Sequence, residues 1–292
     1  MSDMAQGPTG PKVPTRVGII LGDLGKLNVT ALKYLIVHIN TLQRSVEFEI
    51  IAIDAADPLL LLLKHNQTAD RDACRAMLPS FQDRVVKHVI TEAEEYDLVD
   101  RAAPDAFVVI SLARFSDEHY GLKSKNVQIQ ALGNWDRGMA PPSILEFIVT
   151  FLMRQSASFV SPSVSKSVHL GTKGCLFDFT ADLKDARYKA LQAFVCSLCR
   201  EHLAAGGAPE LAEDLLRVLD TRWFGATSDP NCPAGIVANL GYDLFLTQGI
   251  KPTVWERLRS LLLDEGTKEL LKLAGGIALV ALLLWLNLKP GK

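Results

Sequence analysis

Apolar positions along the chain fall into two rhythms, short continuous runs and helical spacings, and their order sketches a fold. VGIIL (17–21) is a compact apolar run ending at Gly22, as a buried strand would be. LNVTALKYLIVHINTLQ then places Leu32, Leu35, Ile36, Ile39 and Leu42 at helical spacing. VEFEIIAID (46–54) alternates before turning wholly apolar. Strand, helix and strand in that order predict a βαβ unit with a right-handed crossover. LLLLLKHN, RAMLPSF and RVVKHVITEAEEYDLVDRA read as helical or irregular. DAFVVISLA (105–113) and NVQIQALGNW (126–135) supply two further strands, and RFSDEHYGLKSK between them reads as a polar loop. PPSILEFIVTFLMRQSA (141–157) reads as a helix opened by Ser143-x-x-Glu146, a capping-box pattern. Residues 16–157 therefore predict an α/β domain with a small mixed or mostly parallel sheet of three or four strands.

The rest of the chain divides at composition breaks. Residues 1–15 are polar and rich in Gly and Pro, without the basic-then-apolar pattern of a signal peptide, and read as a disordered leader. SFVSPSVSKS (158–167) opens a Cys-rich segment over 158–205 that is expected to pack on the α/β domain. AAGGAP (204–209) precedes a helical region over 206–266, in which Pro209 starts one helix and Thr253-x-x-Glu256 caps another.

Between Leu273 and Leu286 every position is apolar or Gly. At about 1.5 Å per residue, the run around it nearly spans a hydrocarbon core of about 30 Å. Trp285 and Lys289 stand where interfacial anchors belong, and Lys272 can snorkel. Residues 268–289 are thus expected to form a single C-terminal transmembrane helix in contact with membrane lipid. A buried core helix is the alternative. Arg257, Arg259, Lys268 and Lys272 precede the run, against Lys289 and Lys292 after it, which places the globular part in the cytoplasm. Ala274, Ala278 and Ala281 share one face beside Gly275, a spacing that favours close helix approach and a homo-oligomer.

The 292 residues carry a net charge of −2, so nothing in the charge balance points to nucleic acid as a partner. Without a secretion signal, the five cysteines are expected in a reducing compartment, where clustered thiols favour metal over disulfides. Cys196 and Cys199 form a C-x-x-C pair, and Cys175 lies on a Lys173-Gly174-Cys175 turn. Three thiolates and one further ligand make a tetrahedral set for structural zinc. His169 is the expected fourth ligand, with His202 and Cys232 as competitors. A redox pair would need the C-x-x-C at a helix N-terminus after a strand, whereas here it follows a predicted helix. Inert buried thiols are the third reading, and Cys74 is read as core. An open, catalytic zinc would need an acid such as Asp178 or Asp182, although Asp182 also suits a helix cap.

VGIILGDLGKLN lacks the Gly and the Ser/Thr that a Walker loop requires around Gly25-Lys26. A looser nest of amides at Gly22 and Gly25 for an anion is one reading, and a plain strand-to-helix turn is the other. Asp117, Glu118 and His119 read as a solvated loop.

A strand, a polar loop, an edge strand, a long helix and then GCLFDFTADLKDARYKALQAFVCSLC resemble the archaemetzincin layout over residues 105–203. The resemblance implies a second, cysteine-rich zinc site held by Cys175, Cys196 and Cys199. It also implies a catalytic H-E-x-x-H on the long helix, where this chain has SILEFIVTFLMRQSA with no histidine. The expectation is therefore a retained structural metal without a peptidase centre.

Together these readings predict a tail-anchored protein whose cytoplasmic, zinc-stabilised domain senses a small-molecule or protein signal. By architecture alone, that suits a membrane-perturbing effector of bacterial anti-phage defence. A degenerate metzincin-like, metal-dependent hydrolase and a soluble scaffold are the alternatives.

Overall fold

A computed structural model describes residues 13–98, 101–165, 174–205 and 208–241. β1 (Thr15–Leu21), α1 (Val29–Ile39) and β2 (Val46–Ile51) form the expected βαβ unit, with β1 and β2 parallel from Thr15↔Val46 to Ile20↔Ile51. Asn28 caps α1 by accepting from the Ala31 amide at 2.9 Å. The chain then runs through α2 (Pro58–Leu62), β3 (Thr68–Ala69) and α3 (Arg71–Glu95) to β4 (Ala106–Ser111). β4 pairs parallel with the other side of β1. After β5 (Arg114–Phe115) and β6 (Gly121–Ser124) comes β7 (Val127–Ala131), parallel to β4. The main sheet has the order β2-β1-β4-β7-β6, and β3 with β5 makes a separate two-stranded pair.

Two segments correct or resolve the sequence reading. The polar loop before the last strand holds β5 and β6, and β6 is the antiparallel edge of the main sheet. Pairing makes it a strand. Lys125, with φ near 50°, helps turn the chain between the two strands, so that Leu122 faces Ile129 and is buried. RAMLPSF and most of RVVKHVITEAEEYDLVDRA, read as helical or irregular, belong to a single helix, α3. Its buried residues Cys74, Leu78, Phe81, Val85, Val89 and Ala93 form a continuous stripe, while Pro79 is exposed. The Arg75 carbonyl that Pro79 leaves without an amide therefore lies on the exposed side of the helix.

Strand side chains alternate between two apolar layers. Ile20, Phe107, Val109 and Ile129 pack with α2 and α3, whereas Val17, Ile19, Val108 and Ile110 pack with α1 and α4 (Ile144–Val160). α4 has the predicted capping box: Ser143 Oγ accepts from the Glu146 amide at 3.1 Å, and Glu146 Oε2 accepts from the Ser143 amide at 2.7 Å. Every residue from Ile144 to Met153 is buried. A helix apolar on all sides needs cover on all sides. The sheet and α1 cover part of it, and α6 (Leu183–Gln192) and α8 (Pro209–Leu219) cover the rest. Between and beyond these lie α5 (Pro162–Ser165), α7 (Ser197–Ala205) and α9 (Pro233–Asn239). Residues from all of them except α2 and α3 share the core cluster of the α1 side of the sheet.

α8 is fastened to the start of β2 across a long sequence separation. The buried Asp214 carboxylate accepts from the Arg44 amide at 3.1 Å, the Ser45 amide at 3.0 Å and the Ser45 hydroxyl, and pairs with Arg217 at 2.9 Å. Among the described residues no helix is long and apolar enough to cross a membrane. The expected span at 268–289, the Thr253–Glu256 cap and the leader up to residue 12 lie outside them.

Candidate metal centre

The cysteine segment is folded by backbone constraints that bring distant thiols together. Gly174 sits at φ near +79°, a left-handed conformation that a side chain makes unfavourable. The turn after it closes when the Asp178 amide donates to the Cys175 carbonyl at 2.9 Å and the Gly174 amide donates to Asp178 Oδ2 at 2.8 Å. That carboxylate is fully buried and also meets the ammonium of Lys189, from α6, at 2.9 Å. α6 starts where the Asp182 side chain accepts from the Asp185 amide at 2.8 Å, and ends with Ala193 in the left-handed region. This reverses the chain, so the Leu176 amide reaches the Phe194 carbonyl at 2.7 Å. From the other side, Arg154 of α4 donates to the carbonyls of Leu176 at 2.7 Å and Asp178 at 3.4 Å.

The result is a triangle of sulfurs. The ligating atoms of Cys175, Cys196 and Cys199 all lie within 4.8 Å of one another, the one such group among the described residues. Cys175 and Cys199 are buried and their sulfurs stand 3.8 Å apart. A tetrahedral site with metal–sulfur bonds of about 2.3 Å has sulfur–sulfur edges of about 3.8 Å. Cys175 accepts three hydrogen bonds: from the Cys199 thiol, from the Cys196 amide at 3.4 Å and from the Phe177 amide at 3.5 Å. The Cys199 bond, and then the two amides, outweigh burial and pull the Cys175 thiol down to about 5. Cys199, as the donor, is pushed up by the same bond and by burial. The shift favours the thiolate form of Cys175, the form that ligates metal. The site can hold a metal ion through three thiolates.

The C-x-x-C pair follows a helix, α6, as expected. It opens α7, with Cys196 just before the helix and Cys199 in its first turn. Spacing alone places it after a helix, and the short loop left by the end of α6 is what makes it a helix start. His169 lies outside the described residues. The sulfur group includes neither His202, although that residue is one turn beyond Cys199 on α7, nor Cys232. Cys232 instead precedes α9 and donates to the carbonyls of Ala226 at 2.9 Å and Asp229 at 3.1 Å. Cys74 is core, and burial followed by the Asp70 charge pushes it up to about 11.

Other candidate groups are occupied by structural work. Asp178 is held by Gly174 and Lys189, and Glu146 closes the capping box. The turn after β1 supplies its own anion: Asp23 accepts from the Gly25 amide at 3.0 Å and the His65 amide at 3.1 Å. Asp117 pairs with Arg71 at 2.6 Å. Arg154 and Lys189 were not singled out by the sequence reading, which named Asp178 only as a candidate acid. The only signal for either was a charged residue within an otherwise apolar or cysteine-rich stretch.

The chain is therefore an α/β protein with a mostly parallel sheet and a three-cysteine cluster. No protein-family model matches it, and no curated protein matches its sequence. Among solved structures, a zinc-dependent peptidase from Methanocorpusculum labreanum is similar over 64% of this chain and 99% of its own, at 12% identity and a TM-score of 0.38. A likeness of that strength assigns no chemistry to this chain.

Proposed function

We propose that the globular part is a binding domain braced by a structural zinc ion and joined to a membrane by the apolar C-terminal helix. The observation that carries the zinc reading is the buried sulfur triangle with its 3.8 Å edge. Cys175, Cys196 and Cys199 are three of the ligands, and His169 is our choice for the fourth. Bound there, zinc supplies a cross-link between the 174–178 turn and the start of α7. The site reads as structural because Asp178, the acid a hydrolytic role would use, already serves Lys189 and Gly174. Membrane attachment rests on the uncharged run Leu273–Leu286. A binding domain on one self-associating span suits an effector that perturbs its membrane when a signal arrives, as in bacterial defence against phage.

Two measurements test this. Elemental analysis of the full chain purified in detergent should give about one zinc per chain. Cys175→Ser with Cys199→Ser should abolish it and lower the unfolding midpoint. Unchanged zinc in that double variant would remove the site. In liposome flotation the full chain should float and a chain ending at Glu269 should not; equal behaviour removes the anchor.

A further inference from the structure

A second site lies beside the brace, where the hairpin of β6 and β7 meets the C-terminal half of α4. A cavity of about 190 Å³ is lined by Lys123, Gln128, Arg154, Gln155, Ser158 and Phe177, among others. A neighbouring cavity of about 410 Å³ shares Lys123 and Ser158 with it. Two features of this lining suit an anionic ligand.

The first is uncompensated positive charge. Lys123 donates to the Ser158 carbonyl at 3.2 Å and its hydroxyl at 2.5 Å, and its ammonium sits 4.5 Å from the centre of the Phe159 ring. Arg154 gives its donors to the Leu176 and Asp178 carbonyls and lies over Phe151. Neither cation meets a carboxylate among the described residues; Lys123 is exposed to solvent and Arg154 half-buried, so both can be reached by a ligand. An ammonium has three donors and a guanidinium five, so both keep capacity for an oxyanion.

The second is unmatched acceptors. Gln155 is 3% exposed, and its Oε1 has no hydrogen-bond partner. Gln128 Oε1 is buried and unpartnered in the same lining. A buried amide oxygen left without a donor costs about 1–3 kcal/mol. Two of them beside two cations that meet no carboxylate among the described residues describe the complement of a ligand: an oxyanion carrying its own O–H or N–H donors.

We infer that this cavity binds a small organic phosphate or carboxylate bearing hydroxyl or amino groups. The anion lies against Lys123 and Arg154, and the donors reach Gln128 and Gln155. Because Arg154 also holds the turn that follows Cys175, occupancy is read directly by the braced segment. The inference rests on the reading of the globular part as a binding domain, and on neither zinc nor membrane attachment.

The test uses the full chain in detergent, titrated calorimetrically with glycerate, glycerol 3-phosphate and adenosine 5′-monophosphate, with thermal melts alongside. At least one probe should bind and raise the melting temperature. Whether the carboxylate or the phosphates bind identifies the anion. Lys123→Met should weaken binding about tenfold or more. Gln155→Met, nearly equal in volume, should weaken it similarly while raising the melting temperature of the ligand-free protein, because it removes an unmatched acceptor. A purely structural glutamine would lower that temperature instead. The inference is overturned if no probe binds at millimolar concentration, if neither variant changes affinity, or if Gln155→Met lowers the ligand-free melting temperature. Zinc content is measured separately, so failure of this site and failure of the metal reading are distinguishable.

Discussion

Replacing Lys189 with methionine isolates the charge that holds the turn beneath the sulfur triangle. Methionine keeps the apolar stem and removes the ammonium, leaving the fully buried Asp178 carboxylate without the cation at 2.9 Å. Breaking one side of a buried ion pair costs about 3–5 kcal/mol. Asp178 Oδ2 keeps the Gly174 amide at 2.8 Å, a charge-assisted bond that favours the low end of that range, so we expect a loss of about 3 kcal/mol. A typical domain is stable by about 5–15 kcal/mol, so such a loss is readily measured. The assay is urea unfolding of the full chain in detergent with zinc present, followed by tryptophan fluorescence, with the midpoint shifting at unchanged slope. Adding Asp178→Leu should recover part of the loss, because an apolar pair of similar volume does not strand a charge. A single variant within 1 kcal/mol of wild type would refute the reasoning, and so would a double variant worse than the single.

Three further outcomes are expected. In metal-stripped protein, Cys175 is a thiolate above about pH 5 in the fold but keeps its proton to about 9 when unfolded, so it adds stability as pH rises between those values. That contribution is fully present above the unfolded value and lost as pH falls through about 5. The midpoint difference between wild type and Cys175→Ser after chelation should therefore widen from pH 5 to pH 8, and a constant difference contradicts it. Asp214→Ala strands the Arg44 and Ser45 amides and the Ser45 hydroxyl and should cost about 3 kcal/mol in urea unfolding, against less than 1 if the clasp is idle. Gly174→Ala forces a side chain into the left-handed region and should cost about 1–2 kcal/mol. Its Cβ would lie 3.0 Å from the amide of the exposed Gln192, which can move aside, so an intact midpoint would show that the turn relaxes.

The parts of the fold that were legible in the sequence are those whose environment repeats along the chain. β1 and β4 hold apolar runs because both faces are covered, β7 alternates apolar residues with glutamine, and α1 shows its buried stripe at helical spacing. β6 was not legible, since GLKS has one buried apolar residue and becomes a strand only through its partner. α3 was left as helical or irregular because sequence does not reveal that the carbonyl affected by Pro79 lies on the exposed side. The three cysteines were legible by type and spacing, whereas the helix-start position of Cys196 depends on where α6 ends. Lys189 and Asp178 are eleven positions apart, and nothing local distinguishes them from surface charges until the turn at Gly174 folds.

The cover over α4 has a consequence for synthesis. The sheet precedes α4 in the chain and can receive it at once, but α8 is complete only at Leu219. At about 5–20 residues per second, the roughly sixty residues between the two helix ends take about 3–12 s to emerge. Through that interval the part of α4 that α8 will cover stays open on the nascent chain, while the sheet and then α6 cover the rest. Cellular yield is then set by what shields that surface on the ribosome, and a mutation in α8 that weakens docking should first appear as lost expression.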